Sequence, residues 1–127
     1  MTAGSPGFIH LHVHSEYSLV DSVVRIPGLI DAVAGAGMPA VAVTDHGNLF
    51  GLVKFYRAAL AAGVQPIVGA EIWYAGDIDP GVTDRFEPAR LVLLCRNLAG
   101  YRNLSRLLTR AWLEGQQAGL PVLRPGC

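Results

Sequence analysis

Five residues near the middle of the chain, Ala40-Val41-Ala42-Val43-Thr44, limit its fold more than any others. A strand with one wet face alternates apolar and polar side chains, because successive residues point to opposite faces. This run is short, almost wholly apolar and does not alternate. It predicts a strand buried on both faces, as in a parallel sheet covered by helices. The flanks agree. Upstream, Pro27 sits where a helix favours its first residue. Ile26, Leu29, Ile30 and Val33 recur at helical spacing, with Gly37 as the C-cap. Downstream, Leu52, Phe55, Tyr56, Ala59 and Leu60 form a second amphipathic face that ends at Gly63.

The same alternation extends in both directions. Phe8 to Val13 reads as a first strand, behind a Gly/Ser/Pro leader at residues 1–7 that is expected to be mobile. Ser15 to Arg25 is a polar connection carrying Glu16 and Asp21. Pro66 to Tyr74 reads as a third strand, residues 75–88 as a Gly-, Asp- and Pro-rich surface loop, and Leu91 to Cys95 as a fourth strand. Asn97 then offers an N-cap to a helix with Leu104, Leu107, Leu108, Ala111 and Trp112 on one face. The expectation is an α/β fold of about four mainly parallel strands and three helices, part of an open sheet or a barrel. In such folds chemistry gathers at the C-terminal ends of the strands.

Composition narrows the class. A chain of 127 residues, 51% hydrophobic and 16% charged, is long enough and apolar enough for one globular domain. Ten basic and ten acidic residues cancel, so bulk charge predicts no affinity for nucleic acid or membrane. Cys95 and Cys127 make no disulfide framework. No apolar stretch reaches the roughly 18 residues of a membrane span, and Met1 to Gly7 lacks the pattern of a signal peptide. The expectation is a soluble cytoplasmic protein.

Three of the four histidines, His10, His12 and His14, fall in one window of alternating residues, and His46 follows Asp45 at the end of the central apolar run. Strand periodicity puts His12 and His14 on one face, with Leu11 and Val13 on the other. Glu71 interrupts the apolar strand from Pro66 to Tyr74, where a carboxylate is costly unless paired or bound to a cation. Asp21 lies in the loop that opens on the same rim. Imidazole and carboxylate together suit zinc or manganese, with magnesium a third candidate. For other polar residues an ordinary role is the simpler reading. His10 is structural, Asp45 caps the following helix, and Thr44, Gly47 and Asn48 shape a turn. Arg102, Arg106 and Arg110 line a solvated helix face.

These residues resemble the PHP (polymerase and histidinol phosphatase) family, whose domains are metal-dependent phosphoesterases on a distorted (βα)7 barrel. Its His-x-His motif is matched by His12-Val13-His14, with a downstream acid matched by Asp21. Its second-strand motif stands at Thr44-Asp45-His46-Gly47-Asn48, and its third-strand acid is matched by Glu71. The resemblance therefore implies a metal site of His12, His14, Asp21, His46 and Glu71. Four further blocks, His10–Ser18, Asn48–Tyr56, Gly63–Gly69 and Gly100–Leu104, are similar to the PHP portion carried by bacterial replicative polymerases.

That likeness implies that residues 8–127 are the N-terminal portion of a PHP barrel, with the polymerase palm and the later ligands lying beyond Cys127. The parent activity would be template-directed DNA synthesis. Its partners would be DNA, other replisome subunits and a proofreading exonuclease subunit. The PHP part would bind divalent metal in a structural role or a vestigial 3′–5′ exonuclease role. The alternative is a free-standing PHP phosphoesterase acting on small phosphate esters. One departure bears on this choice. Family members with a full site place a histidine at the start of strand four, where this chain has Arg90, a permanent cation. Arg90 is expected either to replace a ligand or to contact a phosphate. An open last strand, with Leu91, Leu93 and Cys95 lacking core partners, is expected to make the chain self-associate.

Overall fold

The central run forms β1 (Ala40–His46), buried at every position. The computed structural model describes residues 8–75, 88–117 and 120–123. β1 lies parallel to β2 (Gln65–Tyr74), in register from Ala40 opposite Gln65 to His46 opposite Glu71. α1 (Ile26–Gly35) precedes β1 and α2 (Leu52–Ala61) joins β1 to β2. Both helices end near the expected glycines, Gly37 and Gly63, each with φ of 73°. That left-handed backbone carries no steric cost in glycine. α3 (Leu98–Glu114) begins at Asn97, whose side chain accepts the Gly100 N–H at 2.9 Å.

Strand alternation divides the sheet into two unlike faces. Val41, Val43, Ala70 and Ile72 lie on one. Ile30, Val33, Phe55 and Ala59 pack with the first two, and Leu104, Leu108 and Ala111 pack with the second two. All three helices therefore cover a single face. Thr44, His46, Glu71 and Trp73 lie on the other.

Three features differ from the sequence reading. Phe8 to Val13 runs beside β1 but forms no regular strand. The Ala42 N–H donates to the His10 carbonyl at 2.9 Å and the Thr44 N–H to the Val13 carbonyl at 2.8 Å. Three residues on one side span two on the other, which breaks the ladder as a bulge does. Next, the sheet is mixed. β3 (Ala89–Leu94) runs antiparallel to β2, from Gly69 opposite Leu94 to Tyr74 opposite Ala89. The sequence between these strands carries no apolar helical repeat, and antiparallel neighbours need no crossover helix. Residues 76–87 of the loop expected at 75–88 lie outside the described residues, as does the leader at 1–7.

The third difference is an extra pair of strands, β4 (Gln116–Gln117) and β5 (Leu120–Leu123). β5 pairs in parallel with Trp73 and Tyr74, continuing the edge of β2 where β1 stops. Leu93 and Cys95, expected to lack partners, pack against the core beneath α3, whereas Leu91 remains 47% exposed. Among the described residues no helix is long and apolar enough to cross a membrane.

Candidate metal centre

Glu71 is the anchor of the site. It sits between buried Ala70 and Ile72 in β2, with a side chain only 3% exposed. Two imidazoles meet it there. His12 Nε2 lies 2.8 Å from Glu71 Oε2, and His14 Nε2 contacts the same oxygen. The ligand atoms of these three residues all lie within 4.8 Å of one another. Burial pushes the Glu71 carboxyl up. The hydrogen bonds and positive charge of His12 and His14 outweigh it and hold the group below its ordinary value of 4.5.

The arrangement fits a cation by its donor chemistry. An imidazole nitrogen presents either a proton or a lone pair along the same direction. With protons, His12 and His14 donate to Glu71. With lone pairs, the same two nitrogens and the carboxylate become three convergent ligands of the type that divalent zinc and manganese accept.

The other expected ligands are placed differently. His46 stands opposite Glu71 in the strand register and is 7% exposed. Its ring stacks on Trp73 at 3.4 Å between centroids and on His14 at 5.7 Å. It thus flanks the three-residue cluster without being one of its members. The Asp21 side chain lies outside the described residues; its backbone closes a 3-10 turn at Glu16–Asp21. Arg90 is exposed and pairs in register with Trp73, which puts it on the face that carries Glu71. Among the described residues Glu71 pairs with His12 and His14, not with Arg90. His10 is exposed and packs edge-on against Phe8, away from the cluster.

Asp45 departs from its expected part as cap of the following helix. Its carboxylate turns to the helix-covered face and accepts hydrogen bonds from Ser15 and Ser18 in the turn that follows the histidines. Gly47 and Asn48 shape the turn as expected, whereas Thr44 lies within β1, buried, with its hydroxyl 3.5 Å from the Val13 carbonyl. Asn48 Oδ1 accepts the Phe50 N–H at 3.1 Å, and its Nδ2 donates to the Tyr17 carbonyl at 2.9 Å. The Gly47 N–H donates to the Glu71 carbonyl at 2.8 Å, and Trp112 Nε1 donates to the Gly47 carbonyl at 2.7 Å. The arginines at 102, 106 and 110 are exposed on α3, with Arg110 at 4.0 Å from Glu114.

Two participants escaped the sequence reading. Trp73, which stacks on His46, was findable, because it lies two residues beyond Glu71 on the same strand and so shares its face. The serines that hold Asp45 were not, because hydroxyls at positions 15 and 18 read equally well as solvent-facing loop residues.

Known proteins resemble the chain at both levels. The family model described as PHP domain matches residues 10–125. The DNA polymerase III subunit alpha of Pseudomonas aeruginosa is 53% identical over 112 residues, covering 88% of this chain and 9% of that protein. Its counterpart in Escherichia coli K12 is 42% identical over 118 residues, covering 93% and 10%. The chain spans about a tenth of the length of the curated relatives it matches. Among solved structures, an amidohydrolase from Chromobacterium violaceum, with bound sulfate and no metal, is 27% identical with a TM-score of 0.54. The match covers 82% of this chain and 36% of that one. A chain described as a metal-dependent phosphoesterase from Bifidobacterium adolescentis has the same TM-score at 18% identity, covering 81% and 32%. That second likeness concerns the fold alone.

Proposed function

The chain belongs to the PHP domain family, and from that membership we propose that His12, His14 and Glu71 bind a divalent cation in the PHP portion of a replicative DNA polymerase. The observation that carries this is the convergence of two Nε2 atoms on one buried carboxylate oxygen. His46 and Asp21 complete the ligand set in this reading, with zinc or manganese preferred over magnesium for the mixed nitrogen and oxygen donors. When bound, such a cation supplies Lewis acidity toward a phosphoryl oxygen. The chain's own residues would hold the cation and shape its surroundings. Glu71 sets the depth of the site, the two imidazoles approach it from the segment beside β1, and the Trp73 ring backs His46.

Arg90 favours a structural over a nucleolytic role for the metal. Its guanidinium cannot ligate and adds positive charge to the face where the cation sits. In this reading it contacts a phosphate or stands in for the missing ligand. The curated relatives at 42–53% identity are DNA polymerase III alpha subunits, which supports a polymerase parent over a free-standing phosphoesterase. Template-directed DNA synthesis, cytoplasmic location and contact with DNA, replisome subunits and a proofreading exonuclease subunit belong to that parent. Titration calorimetry with Zn²⁺ and Mn²⁺ tests the site. Uptake by the native chain that disappears in a His12→Ala/His14→Ala variant is expected; equal uptake by both would overturn it.

A further inference from the structure

Asp45 is 2% exposed, and its carboxylate receives three donors. The Ser15 N–H donates to Oδ1 at 2.6 Å, the Ser18 hydroxyl to Oδ1 at 2.8 Å and the Ser15 hydroxyl to Oδ2 at 2.7 Å. Neither hydroxyl is at liberty to turn. Ser15 Oγ accepts the Tyr17 N–H at 3.2 Å, and Ser18 Oγ accepts the His46 N–H at 3.1 Å. A hydroxyl has one proton, and with main-chain donors on the far side, both protons point at Asp45. The position calls for a group that only accepts. Both serines are buried, so the bonds among them and Asp45 are shielded from solvent.

The consequence reaches the other face of the sheet. Ser15 directly follows His14, and Asp45 directly precedes His46. The segment carrying His12 and His14 forms no ladder; among the described residues its main chain is tied by the Ala42 and Thr44 N–H groups, a long bond from the Thr44 hydroxyl to the Val13 carbonyl at 3.5 Å, and one from the Ser22 hydroxyl to the His14 carbonyl. We infer that Asp45 is a positioning residue: its acceptor-only carboxylate locks Ser15 and Ser18 so that His14 meets Glu71 and His46 stays stacked beside it. This deepens the metal-site reading above and rests on it. Asp45 touches no ligand atom and acts through the serines.

The test compares Asp45→Asn with Val33→Ala, a cavity in α1 on the helix-covered face. In the asparagine variant an amide N–H₂ faces a donor, so the Ser15 hydroxyl must reverse. Zn²⁺ affinity by calorimetry is expected to fall 10- to 100-fold, as for removal of other groups that orient metal ligands. Exchange of the Ala42 and Thr44 amides should quicken about tenfold. Val33→Ala should lower the unfolding midpoint and leave Zn²⁺ affinity unchanged. Should Asp45→Asn fail to fold, Ser18→Ala keeps the carboxylate, removes one donor and is expected to shift both readouts in the same direction by less. Unchanged exchange, or an affinity loss no larger than that of Val33→Ala, overturns the inference. If the native chain takes up no Zn²⁺, the metal-site reading fails by itself and the exchange rates alone decide whether Asp45 positions the segment.

Discussion

The two faces of the β1–β2 pair are built on opposite principles. The helix-covered face joins Val41, Val43, Ala70 and Ile72 to three helices through apolar contact. The opposite face carries Thr44, His46, Glu71 and Trp73, with Glu71 met by two imidazoles from a segment that is not a strand and His46 stacked on Trp73. A single alternation of side chains generates both. The first face supplies stability through apolar burial; on the second, the cost of burying a carboxylate is outweighed by the two imidazoles that meet it. Asp45 is the exception that links the two, a polar group on the apolar face whose hydrogen bonds set the geometry of the other.

If that division is real, a substitution on each face should disturb a different observable. Phe55 is 1% exposed at the centre of the helix face. Phe55→Ala should lower the unfolding free energy in urea by about 3–5 kcal/mol, a large share of a domain this size. The fraction that remains folded should bind Zn²⁺ with native affinity. An affinity loss in parallel with the stability loss would mean that the two faces are one cooperative unit.

Glu71→Gln probes the other side. The amide keeps the shape and one acceptor but loses the charge that the two imidazoles address. Zn²⁺ affinity in calorimetry should drop by at least the roughly 100-fold seen for the strongest outer-sphere changes, whereas the urea midpoint should move far less than in Phe55→Ala. A Glu71→Gln chain that binds Zn²⁺ as the native one does would remove the carboxylate from the site.

How much of this division can be read from the sequence depends on the face. The apolar spacing of Ile30, Val33, Phe55 and Ala59 marks the helices and the core, because burial enforces a period that the eye can follow. The cluster of His12, His14 and Glu71 is equally legible. A lone Glu71 in an apolar strand is costly without a charged partner or a cation, and His-x-His offers two imidazoles to one spot on a single face. The direction of β3 is not legible in the strand itself, because an apolar run such as Leu91 to Cys95 reads the same in either orientation; the missing helical repeat before it is the one sequence sign of an antiparallel neighbour. The bulged path of Phe8 to Val13 is not legible either, because it depends on where Ala42 and Thr44 offer their N–H groups. The short strand β5 follows α3 with only Leu120, Val122 and Leu123 to announce it, too few to show a period. Asp45 reads as a helix cap because its true partners, Ser15 and Ser18, lie some 30 residues away in sequence.

Acid titration of the metal-free chain sharpens the comparison further. The folded protein holds Glu71 below its ordinary value of 4.5, so the ionised form is favoured by folding. Its contribution to stability is therefore complete above that value and is lost as pH falls through the lower folded value. Urea midpoints measured from pH 6 downward should decline for this reason, and Glu71→Gln should flatten the decline while Val33→Ala leaves its shape intact. An identical acid limb in native and Glu71→Gln chains would mean that His12 and His14 do not stabilise the carboxylate.

The smallest effect is expected at Arg90, on the site face but exposed and without an acidic partner among the described residues. Replacement of an exposed residue in β3 should change stability by no more than about 0.5 kcal/mol. Its effect on the metal should be separable into two parts. Arg90→Ala removes a positive charge from the face that carries Glu71, and Coulomb repulsion across a solvated distance is modest, so Zn²⁺ affinity should rise by less than about tenfold. Arg90→His removes the same charge and adds an imidazole, which is a ligand type that zinc accepts. A further rise in Zn²⁺ affinity of His over Ala, measured by calorimetry at one ionic strength, would place position 90 within ligand reach of the cluster. Equal affinities for the two variants, both above native, would leave Arg90 as a source of charge alone. No change in either would detach it from the site and with it the reason for preferring a structural over a nucleolytic metal.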